Sequence, residues 1–216
     1  DHGDSLGNQG IITAGDVQWM TAGSGVIHQE MPKGDAEGRM YGFQLWANLP
    51  AAQKMMDPRY RDVRSEQIPE VLLENEVKVK IICGQVGSKQ GPVRDIVIDP
   101  EYIDVAVPPK TEFTHPTKPG HTVFAYVIDG RGCFCGEKNP FAYEREGVNY
   151  FDVQADPLIG NNTLVLFGAG DRVVVSTESE PVRFLLISGK PIGEPVAWYG
   201  PIVMKTQEEL RIAFEE

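Results

Sequence analysis

Positive charge is scarce in this chain. Its 216 residues carry 20 Lys and Arg against 31 Asp and Glu, a formal net charge of −11 at pH 7. That balance speaks against DNA or RNA as a direct partner, because neutralising phosphates takes clustered Lys and Arg. Long apolar runs are missing as well. None reaches the ~18 residues a membrane span needs, so no membrane partner is expected. Cysteine is rare: Cys83, Cys133 and Cys135 are too few, and odd in number, for a disulfide framework. Such usage suits a reducing compartment, and a cytoplasmic location is expected. Cys133-x-Cys135 lacks the two-residue gap of zinc knuckles. The pair reads as small core or edge residues sharing one strand face. Phosphate-cradling loops are absent too. Neither Gly23-Ser24-Gly25 nor Gly168-Ala169-Gly170 sits in a G-x-G-x-x-G or P-loop context, so no nucleotide site is read.

Turn formers are plentiful. The 23 Gly and 16 Pro favour many short strands over long helices. Hydrophobic residues at 41% and charged residues at 24% describe an ordinary folded chain. Lys78 and Lys80 alternate with Val77, Val79, Ile81 and Cys83, which predicts a half-buried strand. Val17 to Met20, Arg39 to Leu49, Ile96 to Ile98, Tyr102 to Val107, Thr122 to Ile128, Leu164 to Phe167, Arg172 to Ser176 and Arg183 to Ile187 are further strand candidates. Ala51 to Met56 suggests a helical turn. Residues 57–76 are so polar that they read as a connector. The expected fold class is all-β, a sandwich or barrel. At the carboxyl end, Thr206 and Glu209 fit a helix capping box, with Leu210, Ala213 and Phe214 on one helix face. Glu144-Arg145-Glu146 and Glu178-x-Glu180 read as solvated charge clusters.

Chemistry concentrates in Gly15 to Pro32, GDVQWMTAGSGVIHQEMP. Gly15-Asp16 is a turn signal. Gly23 and Gly25 permit a tight reversal with positive φ. Val26 to Met31 then reads as a second strand. Strand side chains alternate, so His28 and Glu30 share one face. An imidazole and a carboxylate so placed are half of a metal site. By spacing alone such a pair is more often a polar strand face. His115, followed by Pro116 in a Pro/Thr/Lys-rich loop, is expected to be exposed. His121 is expected to start a strand, and neither is expected to be a ligand.

GDVQWMTAGSGVIHQEMP resembles the signature of the pirin family, two-domain proteins of the cupin superfamily. The resemblance continues through Phe43-Gln44-Leu45-Trp46-Ala47-Asn48-Leu49 and Pro58-Arg59-Tyr60. It returns at Ser188 to Pro195 and Tyr199 to Met204. It implies two cupin-like β-sandwich or barrel lobes with a short C-terminal helix. Residues 1–70 would be the remainder of an incomplete amino-terminal cupin, and 71–216 the carboxyl-terminal cupin with its helix. It also implies a non-haem iron, Fe(II), held by three histidines and a glutamate, other divalent metals being alternatives. His28 and Glu30 match two of those ligands. The other two lie in an upstream His-x-His that this chain lacks, so a fragment is expected, with weak or no iron by itself. Asp1 to Ser5 resembles the loop after the missing region, where His2 is not a ligand of the family pattern.

Three functions follow from the resemblance. One is a quercetin 2,3-dioxygenase-type enzyme taking a flavonol-like substrate and O2. Glu30 would then relay the substrate's hydroxyl proton, and Trp19, Met20, Phe43 and Trp46 would be candidate pocket residues. The second is an iron-dependent regulatory protein with a protein partner. The third is a metal-free, inactive form.

Overall fold

A computed structural model describes residues 1–5, 7, 9–136 and 156–215. The strands begin with β1 (His2–Asp4), β2 (Gln9–Gly10), β3 (Val17–Thr21), β4 (His28–Glu30), β5 (Arg59–Val63) and β6 (Glu70–Leu72). They continue with β7 (Lys78–Cys83), β8 (Gln85–Val86), β9 (Lys89–Gln90), β10 (Glu101–Val107), β11 (Glu112–Pro116) and β12 (Thr122–Gly132). The last are β13 (Ile159–Gly160), β14 (Thr163–Leu166), β15 (Arg172–Ser176), β16 (Val182–Gly189), β17 (Ala197–Tyr199) and β18 (Ile202–Met204). One helix, α1 (Gln207–Glu215), follows them. Contacts divide the chain into a unit of Asp1–Gln67, Asp95–Ile98 and Ile192–Glu216, and a second of Ile68–Arg94 and Asp99–Pro191. No helix of the described residues is long and apolar enough to cross a membrane.

The second unit is built on a sheet ordered β13-β12-β16-β10-β7-β6, with β14 also paired to β12. A separate antiparallel pair, β11 and β15, contributes Phe113, Val173 and Val175 to the same core. Period two explains which side chains go inside. On β7, Val79 and Ile81 are fully buried while Lys78 and Lys80 face solvent. On β16, Phe184 and Leu186 enter the main core, and Leu185 and Ile187 fill a second cluster on the opposite face. A strand in the middle of a sheet with both faces covered reads as a continuous apolar run, as Phe184 to Ile187 does. At Gly130, φ is +69° and an added Cβ would stand 2.0 Å from the Pro181 carbonyl oxygen, so β12 can pass β16 there only as glycine.

Several sequence expectations change. His115 is buried on β11, because strand alternation points it inward with Phe113, and its Nε2 lies 3.0 Å from Glu101 Oε2. Pro116 closes that strand instead of marking an open loop. Residues 57–76 hold β5 and β6 and are no bare connector. Ile96 to Ile98 is not a strand, since Asp95 and Asp99 on either side have φ of +61° and +48°. Arg39 to Leu49 is also irregular, and exposed as far as Ala47. Its apolar residues lie on both faces, and a strand of that kind is stable only inside a sheet with layers on each side. Other expectations hold. His121 stands one residue ahead of β12. Cys133 is buried and Cys135 half-buried, their sulfurs 3.7 Å apart, but both lie past the end of β12 at Gly132 and share no strand face. Glu178 and Glu180 are exposed, while Glu144 to Glu146 lie outside the described residues.

The terminal helix carries the expected capping box. Glu209 N–H donates to Thr206 Oγ1 at 3.1 Å, and Thr206 N–H donates back to Glu209 Oε2 at 3.1 Å. Leu210 is buried, and the Phe214 ring meets Tyr199 edge-on at 5.7 Å. Thr206→Ala leaves one orphan amide at the helix start, and we expect a loss of about 1 kcal/mol. Hydrogen exchange of the first-turn amides of α1 checks this.

Candidate metal centre

The site is assembled in the first unit from a turn, a hairpin-like pair and a three-residue ladder. The turn comes first. Asp16 Oδ2 accepts hydrogen bonds from Thr13 N–H at 2.9 Å and Thr13 Oγ1 at 3.0 Å, and pairs with Arg64 Nη1 at 3.1 Å. Its Oδ1 accepts from Ser65 N–H at 2.8 Å. One carboxylate thus ties the start of β3 to the end of β5. The Thr13 amide, with the Ser65 amide and the Arg64 guanidinium, holds the Asp16 carboxyl down to about 2 from an ordinary 3.8.

A depressed carboxyl pKa gives stability that is complete above the unfolded value and vanishes as pH falls through the folded one. Asp16 therefore stabilises the unit fully above about pH 4 and loses that effect toward pH 2. Asp16→Asn is expected to cost about 2 kcal/mol at pH 7, the loss of several hydrogen bonds to a charged acceptor. It should also flatten the acid limb of stability between those two pH values. Urea denaturation across a pH series reads both.

From that turn β3 runs antiparallel to β5, with Gln18 opposite Asp62 and Met20 opposite Tyr60. The pair is held by polar groups. Gln18 Nε2 donates to the Tyr60 hydroxyl at 2.8 Å, and that hydroxyl donates to Asp62 Oδ1 at 2.6 Å. Burial and the Asp62 carboxylate push the Tyr60 hydroxyl upward, so the phenol stays neutral. After β3 the chain reverses at Gly23, where φ is +53° and an added Cβ would lie 2.1 Å from the Met56 carbonyl oxygen. Ser24 N–H donates to that same oxygen at 2.9 Å. Only glycine fits, and the start of β4 is thereby fixed.

β4 does not stand alone. It pairs antiparallel with β1 in the register His2↔Glu30, Gly3↔Gln29 and Asp4↔His28. Ser5 N–H bonds the Ile27 carbonyl and Met31 N–H the Asp1 carbonyl, extending the ladder at both ends. The first residues are thus a strand, not the expected loop, because their backbone groups find partners on β4 and β2.

His28 and Glu30 share a face, as alternation predicts, with Nδ1 and Oε1 3.8 Å apart. Both are solvent-facing, their side chains 31% and 55% exposed. His2 joins them from β1. Its side chain is only 4% exposed, its ring stacks on Tyr60 at 5.0 Å, and its centroid lies 5.8 Å from that of His28. One donor atom from each of His2, His28 and Glu30 lies within 4.8 Å of the others. Neither ring nitrogen of His2 has a hydrogen-bond partner.

Two imidazoles and a carboxylate match the donor set of non-haem iron and related divalent ions. Donors bound at about 2.1 Å stand at most roughly 4.2 Å apart, somewhat less than the 4.8 Å within which these three lie, so the group would have to contract to bind an ion. The exposed side chains of His28 and Glu30 have that freedom. Of the other residues named from sequence, Trp19 and Met20 are half-buried on β3. Phe43 packs on Tyr41, and Trp46 lies 6.4 Å from Trp198. Sequence reasoning missed Tyr60 as the surface under His2, although Pro58-Arg59-Tyr60 is one of the matched motifs.

Comparison with known proteins places the chain in a family. The model of the pirin C-terminal cupin domain matches residues 102–216, and the pirin model matches residues 1–47. The chain belongs to the pirin family. Pirin-1 of Arabidopsis thaliana is 40% identical over all of this chain and 68% of its own length. A candidate quercetin 2,3-dioxygenase of Thermoplasma acidophilum is 35% identical over all of this chain and 81% of its own length. Among solved structures, a quercetin 2,3-dioxygenase from Acinetobacter baumannii superposes with a TM-score of 0.77 at 26% identity, covering 99% of this chain and 69% of the other. The all-β cupin expectation, with one short terminal helix, therefore holds for this pirin.

Proposed function

We propose that this pirin-family chain is a metal-dependent oxidoreductase of the quercetin 2,3-dioxygenase type, taking a flavonol-like small molecule and O2. The observation that carries the proposal is the pairing of His28 and Glu30 on one face of β4, 3.8 Å apart and open to solvent. The Acinetobacter structure and the Thermoplasma relative support the substrate class.

His28 and Glu30 would hold the ion, Fe(II) by family resemblance, with another divalent ion compatible with the same donors. Once bound, the ion supplies Lewis acidity and open coordination positions. The protein does the rest. Glu30, its side chain more than half exposed, can reach the hydroxyl of an arriving substrate and take its proton. His28 stands beside that carboxylate, its Nδ1 3.8 Å from Glu30 Oε1. The Gln18–Tyr60–Asp62 hydrogen bonds tie β3 to β5 beneath His2, and burial with the Asp62 contact keeps the Tyr60 phenol uncharged.

Fe(II)-loaded protein mixed with quercetin under air tests the proposal. Flavonol absorbance is expected to fall with matching O2 uptake, and only in the loaded sample. Loaded protein that leaves both untouched would contradict the assigned activity.

A further inference from the structure

Two of the chain's three cysteines meet just past the end of β12. Their sulfurs are 3.7 Å apart, and Cys133 Sγ lies 3.6 Å from the Cys135 carbonyl oxygen. Cys133 is pinned by its backbone. Its N–H donates to the Ser176 carbonyl at 2.8 Å, and Ser176 N–H donates back to the Cys133 carbonyl at 2.9 Å. Phe134, between the cysteines, is buried in the core with its ring edge-on to Phe184 at 5.1 Å. Cys135 is half-buried and Cys133 only 2% exposed, so a small reagent reaches Cys135 first and Cys133 waits beside it.

We infer that Cys133 and Cys135 form a redox modification site, a dithiol that a peroxide converts reversibly to an intrachain disulfide. The inference is independent of the metal reading proposed above. The Cys135 thiolate attacks one peroxide oxygen, the O–O bond breaks, and the departing hydroxide takes up a proton as water. Cys135 is then a sulfenic acid. The Cys133 thiolate attacks the Cys135 sulfur, the S–O bond breaks, and a second water leaves as the S–S bond forms. The two thiols give up two electrons and two hydrogens, and one hydrogen peroxide becomes two waters. The sulfurs must approach from 3.7 Å to the roughly 2.05 Å of a disulfide, a movement that falls to Cys135 because Cys133 is pinned. A ring closed across a single intervening residue is strained, and strained disulfides are the easily reduced, regulatory ones. Cys83 provides the internal comparison. It is buried, with its Sγ donating to the Pro100 carbonyl at 3.2 Å.

The alternative role for the pair is simple packing at the strand end. A small excess of hydrogen peroxide is added to the full chain, with a chelator present so that iron plays no part. Thiols are counted after unfolding. The count is expected to fall from three to one, and to return to three with dithiothreitol. Peptide mapping should find the segment holding Cys133 and Cys135 lighter by two hydrogens and Cys83 unchanged. Cys135→Ser should abolish that loss, and Cys133→Ser should leave a sulfenic acid on Cys135 that dimedone traps. Should Cys133→Ser fail to fold, the mapping of the unaltered chain still decides. Three thiols surviving the peroxide, oxygen added to Cys135 beside an unchanged Cys133, or a bridge between two chains would overturn the proposal.

Discussion

His28→Ala is expected to weaken Fe(II) binding by 100-fold or more while the protein stays folded. The effect is large because a small donor set loses one of its imidazoles, and removing even an outer-shell partner typically costs 10–100-fold. The fold survives because His28 lies at the solvent-facing start of β4 and its backbone pairing with Asp4 does not involve the ring. Exposed substitutions of this kind usually change stability by less than about 0.5 kcal/mol. Chelator competition gives the affinity, and a urea melt gives the stability. Unfolding of His28→Ala, with metal affinity intact in whatever remains native, would mark the residue as structural.

Glu30→Gln separates binding from proton transfer. The amide oxygen can still coordinate, but the side chain can no longer accept a proton. Positioned proton transfer contributes 10²–10⁴-fold to a rate. Flavonol turnover per bound iron is therefore expected to fall at least 100-fold. Iron content should fall much less. Steady-state rates normalised to iron content read the two effects apart. Normal turnover in iron-loaded Glu30→Gln would remove the carboxylate from the chemistry.

How much of this was legible in the sequence depends on where each element finds its partners. β7 was plain, because the Lys78/Val79/Lys80/Ile81 alternation describes a strand with one wet face and one dry face. The α1 cap was plain too, since a capping box is a local motif spanning four residues. His28 and Glu30 on one face followed from period two alone. His2 was hidden. Its ladder partner is 28 residues away, and His2-Gly3-Asp4 carries no apolar alternation to announce a strand. β5 was hidden for a similar reason, since Tyr60 and Asp62 are held by polar contacts that read as surface. Arg39 to Leu49 erred the other way, a period-two apolar pattern without sheet layers to cover it. His115 was masked by Pro116, which signals a loop in sequence but ends a strand in space.

The central claim is that β4, with β1 beside it, is a metal centre. Iron per chain decides it, measured by elemental analysis after anaerobic Fe(II) loading and gel filtration. The unaltered protein and the His28→Ala/Glu30→Ala double variant are run side by side. More iron in the first than in the folded second, which holds almost none, is the predicted result. Equal iron in both, or none in either, would contradict it.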